Sequence, residues 1–261
     1  MPISQTPPTQ IIVPSTQATP SVPKLQPMTD KQAIVKNEAS TSSAPIAVSP
    51  NNPCPFLRGL VAQGLLPNDN ATPQQISDAI HHIQNGQDLD EHGERKKLPT
   101  SAIKLIASTA NGLSPSQIWH NTRQGVKLDD LRGSPFDKHG VNSRILSQTG
   151  EYDEAELARF ASFGSPKHDE SDNQNTEIGL NEAEIKAMLD ANAERAKDQK
   201  RLFDRMIMDG EFPVLLKVLG KQGRNAKGES ERYLAVSDVK NLFEHRQFPE
   251  RIAKRIGLKQ R

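Results

Sequence analysis

Cys54 is the only cysteine in 261 residues, and it stands between two prolines at the edge of an apolar helical pattern, in NNPCPFLRGLVAQGLLP over 51–67. A chain with one thiol builds neither an internal disulfide nor a multi-cysteine zinc or iron–sulfur centre. The thiol is therefore a packing residue, a reactive nucleophile, or a metal ligand acting alone. Pro55 presets a helical backbone angle at a first helical position, which puts Cys54 at or beside the N-cap of a helix over Phe56–Leu65. Unpaired amide N–H groups and the positive end of the helix dipole are expected to favour thiolate over thiol there. No histidine base lies within sequence reach, so a ligand role suits this sulfur better than a nucleophilic one.

Other residues with chemical potential are more scattered. Carboxylates crowd GEYDEAEL, where Glu151, Asp153, Glu154 and Glu156 offer either a proton-transfer group or the acidic first turn of a helix. His139 lies in FDKHGVNSR beside Gly140, as a distal-type histidine or a solvated loop residue. His81, His82 and His92 lack metal-ligand spacing. DLDEHGERKKLP begins like a calcium loop, with Asp88, Asp90 and Gly93 in the first, third and sixth places, but Pro99 stands where the bidentate glutamate is required.

The elements that must position these groups read as helices. Thr72-Pro73-Gln74-Gln75 and Ser114-Pro115-Ser116-Gln117 each combine a capping hydroxyl, a proline at the first helical position and a glutamine two residues on. TSAIKLIASTANG makes a short helix stopped by Asn111-Gly112. Asn181-Glu182-Ala183-Glu184 opens another, with Ile185, Met188, Leu189, Leu202, Phe203, Met206 and Ile207 as its apolar side. GSPKHDESDNQNTE reads as a polar loop near 164–179, and KQGRNAKGES as a polar spacer. Nothing alternates as a strand. The expected architecture is all-α: one domain of six to eight helices over 52–261.

Residues 1–51 are rich in Pro, Ser, Thr, Gln and Ala without periodicity, and are expected to form a disordered leader. The leader has neither a charged start followed by an apolar core nor a membrane-length apolar run. Its composition suits cytoplasmic residence or export without a conventional signal peptide, and an exported chain would meet a host partner. A net charge of +1, from 33 basic and 32 acidic residues, gives no electrostatic footprint for nucleic acid or an anionic membrane.

The segment PCPFLRGLVAQGLLP closely resembles the opening motif of heme-thiolate haloperoxidases and unspecific peroxygenases, the chloroperoxidase-like family. Pro53-Cys54-Pro55 matches its proximal cysteine box, and Gly64-Leu65-Leu66-Pro67 its following turn. NATPQQISDAI, LDDLRGSPFDKHG and the stretch from EFPVLLKVLG to Leu242–Pro249 resemble later family segments in order and spacing, over about 52–250. The resemblance implies a chloroperoxidase-like helical fold with heme b held by Cys54 as axial ligand of the iron. It also implies a small-molecule substrate oxidised with peroxide. SRILSQTGEYDEAEL meets the distal pattern and places Glu154 on the acid–base glutamate, with His139 as its distal histidine. Phe56, Phe136, Phe160 and Phe163 are then candidates for the pocket wall.

One departure concerns magnesium. The family's Glu-His-Asp meets FDKHG here, so aligning on the histidine puts Lys138 at the metal-binding glutamate, and sliding by one puts Asp137 there. Magnesium takes oxygen ligands and not an ammonium; Lys138 would pair with a heme propionate directly. The alternative reading is a heme-free helical interaction or effector domain on the same scaffold.

Overall fold

Capping residues set where the helices begin. In the computed structural model, α1 (Pro55–Ala62) starts on Pro55 with Cys54 as an extended N-cap, φ −82° and ψ 113°. At α2 (Pro73–Gln84) the Thr72 hydroxyl accepts the Gln75 N–H at 3.1 Å while the Gln75 amide oxygen accepts the Thr72 N–H at 2.8 Å, a reciprocal cap worth about 1 kcal/mol. After α3 (Thr100–Thr109), Ser114 caps α4 (Pro115–Gln124) through the Gln117 N–H at 3.2 Å. Asp153 caps α5 (Glu154–Ala161) through the Glu156 N–H at 3.1 Å. Asn181 and Glu184 exchange two such bonds at the head of α6 (Glu182–Arg195), 2.9 and 2.8 Å. The helices α7 (Asp204–Leu219), α8 (Val236–His245) and α9 (Glu250–Arg255) follow.

The structure describes residues 46–84, 97–134, 137, 145–147, 150–170, 172–195 and 204–258, all within one compact unit, Ser43–Arg261. Residues 1–45 of the expected leader, together with Phe136, Lys138, His139 and His92, lie outside them. Residues 46–51 are tied to the domain: Val48 packs on the core, the Ser49 N–H donates to Asn68 Oδ1 and the Leu131 N–H donates to the Asn51 carbonyl. No helix among the described residues is long and apolar enough to cross a membrane.

The all-α expectation is overturned. The protein is mixed α/β, with a small antiparallel pair of β1 (Asn70–Ala71) and β2 (Val126–Lys127), and a closed four-stranded antiparallel barrel. The barrel runs in the order β3 (Ser165–Asp169), β4 (Asp172–Leu180), β6 (Ser230–Ala235), β5 (Lys221–Arg224), and β5 returns to pair with β3. The polar stretch over 164–179 is a hairpin, and the spacer KQGRNAKGES is a second. Their strands show little apolar alternation because, beside Leu180, Leu234 and Ala235, the barrel buries a charged residue. Lys167 on β3 is only 1% exposed, its ammonium held by Glu231 of β6 at 2.5 Å and Glu184 of α6 at 3.0 Å. The Asn181 side chain donates to the second oxygen of Glu231 at 2.7 Å. Sequence periodicity registers apolar side chains and is blind to a paired lysine facing inward.

Tyr233 of β6 closes the barrel's other end. It is fully buried, its hydroxyl donates to Glu177 at 2.7 Å, and the Lys221 ammonium lies 5.6 Å from the ring centroid while pairing with Asp169 and Glu177. Burial opposes charge on Lys221, yet hydrogen bonds to Asp169 and Glu177 hold its pKa above the usual value. The ring lies against two strand positions without side chains, Gly179 and Gly223; a Cβ at either would overlap it. Gly179→Ala is expected to destabilise the protein by about 1–3 kcal/mol through overpacking. Thermal unfolding followed by near-ultraviolet circular dichroism reads this, and an unchanged melting temperature would remove the ring's packing from the account.

Candidate functional site

α1 and α8 approach so closely that a Cβ on Gly59 would come within 2.7 Å of Leu242 Cδ1 and 3.3 Å of Phe248 Cζ. This contact buries Leu60, Val61 and Leu242 completely, and it sets the Phe56 ring edge-on to Phe248 with centroids 5.6 Å apart. Phe56, 6% exposed, is thus committed to the helix interface. Phe160 is buried as well, stacked on Phe212 at 5.1 Å. Phe163 is half-buried under the Arg159 guanidinium, which lies 5.3 Å from its centroid.

Cys54 stands at the N-terminal end of this helix pair, half-buried against the core. Its backbone N–H donates to Asn52 Oδ1 at 3.1 Å, and its carbonyl accepts the Arg58 N–H at 3.0 Å. The sulfur makes no capping hydrogen bond. Burial pushes the thiol up to about 11, with Glu211 adding to the rise, against the backbone N–H groups of Leu57 and Phe56 and the charge of Arg58, which pull it down. The dipole effect anticipated from the sequence is present, and desolvation outweighs it. At neutral pH the free protein carries a thiol and not a thiolate.

Arg58 is the residue that sequence reasoning passed over. It sits inside the apolar stripe of α1, 2% exposed. Its guanidinium donates to the carbonyls of Ser49 at 3.2 Å, Asn52 at 3.3 Å and Gly150 at 3.2 Å. Arg132 runs a parallel brace, to the Pro50 carbonyl at 3.3 Å and the Ser147 carbonyl at 3.0 Å. The two arginines tie the segment entering Cys54 to the loop that leads into α5. The signal was legible only as an anomaly, a cation on the face of a helix that otherwise reads as core.

Four buried polar atoms around this junction lack hydrogen-bond partners: Nε of Arg58, Nε of Arg246, Oη of Tyr152 and Oε2 of Glu244. Burial and the like charges of Arg246 and Arg132 lower Arg58 to about 10, still a cation at neutral pH. Burial, with Glu244, Glu154 and Asp153 nearby, raises the Tyr152 phenol above its usual value. Glu154 itself is the exposed first residue of α5 and has no hydrogen-bond or ion-pair partner among the described residues. Its neighbour Glu156 is engaged by Arg195 at 2.8 Å.

Asp137, the other sequence candidate for a magnesium ligand, is spent on the protein. Arg132 takes one oxygen at 3.3 Å and the Gly133 N–H takes the other at 2.9 Å. Among the described residues no three His, Cys, Asp or Glu side chains gather as a metal site. A polar cleft of about 370 Å³ opens between Asn111, Ser116, Gln117, His120, Lys127 and Asp130, and it contains none of the catalytic, heme-binding or metal-binding candidates named from the sequence. Comparison of the chain with family models, curated proteins and solved structures finds no match.

The sign of a pH effect follows from the thiol. Its pKa rises from 9.0 to about 11 on folding, so the unfolded chain loses the proton first. The stabilisation from keeping Cys54 protonated is complete below pH 9 and is lost as pH climbs towards 11. Thermal melts from pH 8 to 11 are expected to show wild type losing more stability than Cys54→Ala; parallel curves would show that the sulfur is not desolvated.

Proposed function

We propose that this chain is a heme-thiolate protein, with Cys54 as the axial ligand of a heme b iron, using peroxide to oxidise a small organic substrate or a halide. The observation that carries the reading is the setting of Cys54: a half-buried sulfur at the extended N-cap of α1, fixed between Pro53 and Pro55, with two backbone N–H groups and a buried arginine favouring its anion. A thiol held near 11 is a poor free nucleophile at neutral pH, whereas coordination removes its proton outright. The donor set therefore suits a metal-ligand sulfur better than a thiol enzyme. One turn along α1, the Arg58 Nε is buried without a hydrogen-bond partner.

Heme bound here would supply an iron whose thiolate ligand favours cleavage of the peroxide O–O bond. The protein's own part is positional and protonic. Arg58 and Arg132 hold the strap before Cys54 and the loop before α5 at a fixed spacing. Glu154, with a carboxylate free of described partners, takes the proton-transfer role at its side-chain oxygens. His139 assists it in this reading, and Lys138 stands where the metal-binding glutamate would be.

A second reading has its own observation. Four of the six exposed large apolar side chains among the described residues, Leu105, Ile106, Leu113 and Trp119, fall on α3, α4 and the turn between them, 46–67% exposed. Apolar surface of this kind suits an interaction domain that binds no heme.

An absorption spectrum of the full chain expressed with added heme separates the two. The heme reading expects a ferrous carbonyl band far to the red that disappears in Cys54→Ala, and peroxidase turnover that falls about 10²-fold or more in Glu154→Gln. A colourless protein that takes up no heme would end the first reading.

A further inference from the structure

From 95 to 128 the chain holds six Lys and Arg residues and no Asp or Glu, although 32 of its 261 residues are acidic. α3, α4 and the turn joining them lie within this stretch. Other helices settle their lysines locally: Lys186, Lys240 and Lys254 each pair with a carboxylate four residues away, on α6, α8 and α9. α3 and α4 have no carboxylate with which to do this. Among the described residues none pairs with Lys104 of α3, Arg123 of α4 or Lys127 of β2.

The same elements carry exposed hydrocarbon. Leu105 is 67% exposed, Ile106 55%, Leu113 46% and Trp119, the only tryptophan of the chain, 58%. The Arg123 guanidinium lies 5.7 Å from the Trp119 ring centroid. Tryptophan and arginine are enriched among the residues that carry binding energy at protein interfaces. The frame beneath them is fixed. The completely buried Asn121 side chain donates to the Ser108 carbonyl at 2.9 Å and accepts from Gln117 at 3.0 Å, which locks α4 on α3. Asn111 donates to the carbonyls of Lys127 and Asp130, both at 3.0 Å, and accepts the Lys127 N–H at 2.9 Å. The polar cleft bordered by Ser116, His120 and Lys127 opens in this frame, and Asp130 bounds it. A partner meets such a surface without the cost of ordering it.

We infer that α3 and α4, with the turn between them, dock an acidic segment of a partner protein. Apolar side chains of the partner cover the exposed hydrocarbon, and its carboxylates answer Lys104, Arg123 and Lys127. The inference rests on the interaction-domain reading of this surface and names the chemistry of the partner. A second copy is the poorer occupant, because a twofold contact through the same patch sets these cations against themselves.

Trp119 is its own reporter. The full-length protein is titrated, by tryptophan emission, with two synthetic helical peptides that share Leu and Phe on one face and carry either Glu or Lys on the other. The Glu peptide is expected to shift Trp119 emission to the blue and to bind at least about tenfold more tightly than the Lys peptide at low ionic strength, the gap closing as salt approaches about 1 M. Lys104→Gln combined with Lys127→Gln should remove most of that preference, with a thermal melt confirming that the variant is folded. Equal binding of the two peptides overturns the inference and leaves an interaction surface without charge selection, as does a double variant that keeps the full preference. A blue shift driven by protein concentration alone makes the occupant a second copy, and one produced by phosphatidylserine vesicles but not by the Glu peptide makes it a membrane; each overturns the inference. Emission indifferent to peptides, vesicles and protein concentration overturns the inference and the interaction reading alike.

Discussion

The guanidinium of Arg58, buried and donating to three backbone carbonyls from two distant segments, is the constraint on which the candidate site depends. Its partners lie before Cys54, at Ser49 and Asn52, and after a long excursion of the chain, at Gly150. A buried cation is tolerable only while its hydrogen bonds are made. The entry strap and the loop before α5 are therefore held at the spacing that the planar fork of the arginine demands. Gly150, with φ 76°, brings its carbonyl within reach, and a Cβ there would strike the guanidinium. Without this brace the N-cap geometry of Cys54 and the approach to α5 would be set by two independent loops.

The same economy governs the barrel. Four short strands bury Leu180, Tyr233, Leu234 and Ala235, and with them ion pairs that the rest of the fold completes. Lys167 is satisfied by Glu231 within the barrel and by Glu184 from α6, a residue that also caps its own helix. Lys221, Asp169, Glu177 and Tyr233 form the second cluster, to which Ser237 of α8 adds a hydrogen bond on Glu177. Each charge has at least one partner from another element, so barrel and helices stabilise one another. Removing one partner would leave a buried charge exposed to the full desolvation cost.

Cys54 shows how two effects of known sign are ranked only by packing. A helix N-terminus favours the thiolate and burial favours the thiol. The half-buried position behind Phe56 and the apolar face of α1 makes burial the larger. A sulfur placed so stays protonated at neutral pH, with the Arg58 cation pulling against the burial that holds its proton. The acidic helix start at Glu154 and the sulfur at Cys54 are linked through the Arg58 brace, by way of Gly150 and the short bridge between Leu146 and Tyr152.

The sequence by itself determined the helix starts, because a cap is a local contract between a side chain and N–H groups two or three residues away. Thr72, Ser114 and Asn181 therefore cap the helices they announce, and the Pro53-Cys54-Pro55 box falls at the head of α1. The sequence also marked Cys54 and Glu154 as residues with chemical potential. It did not reveal the barrel, whose strands are polar and whose pairing joins residues up to some sixty positions apart, such as Lys167 and Glu231. Nor did it reveal the role of Arg58, since an arginine in an apolar stripe acquires meaning only from the carbonyls around it. Those carbonyls come from the strap before α1 and from the loop before α5, and only the tertiary structure brings them to one place.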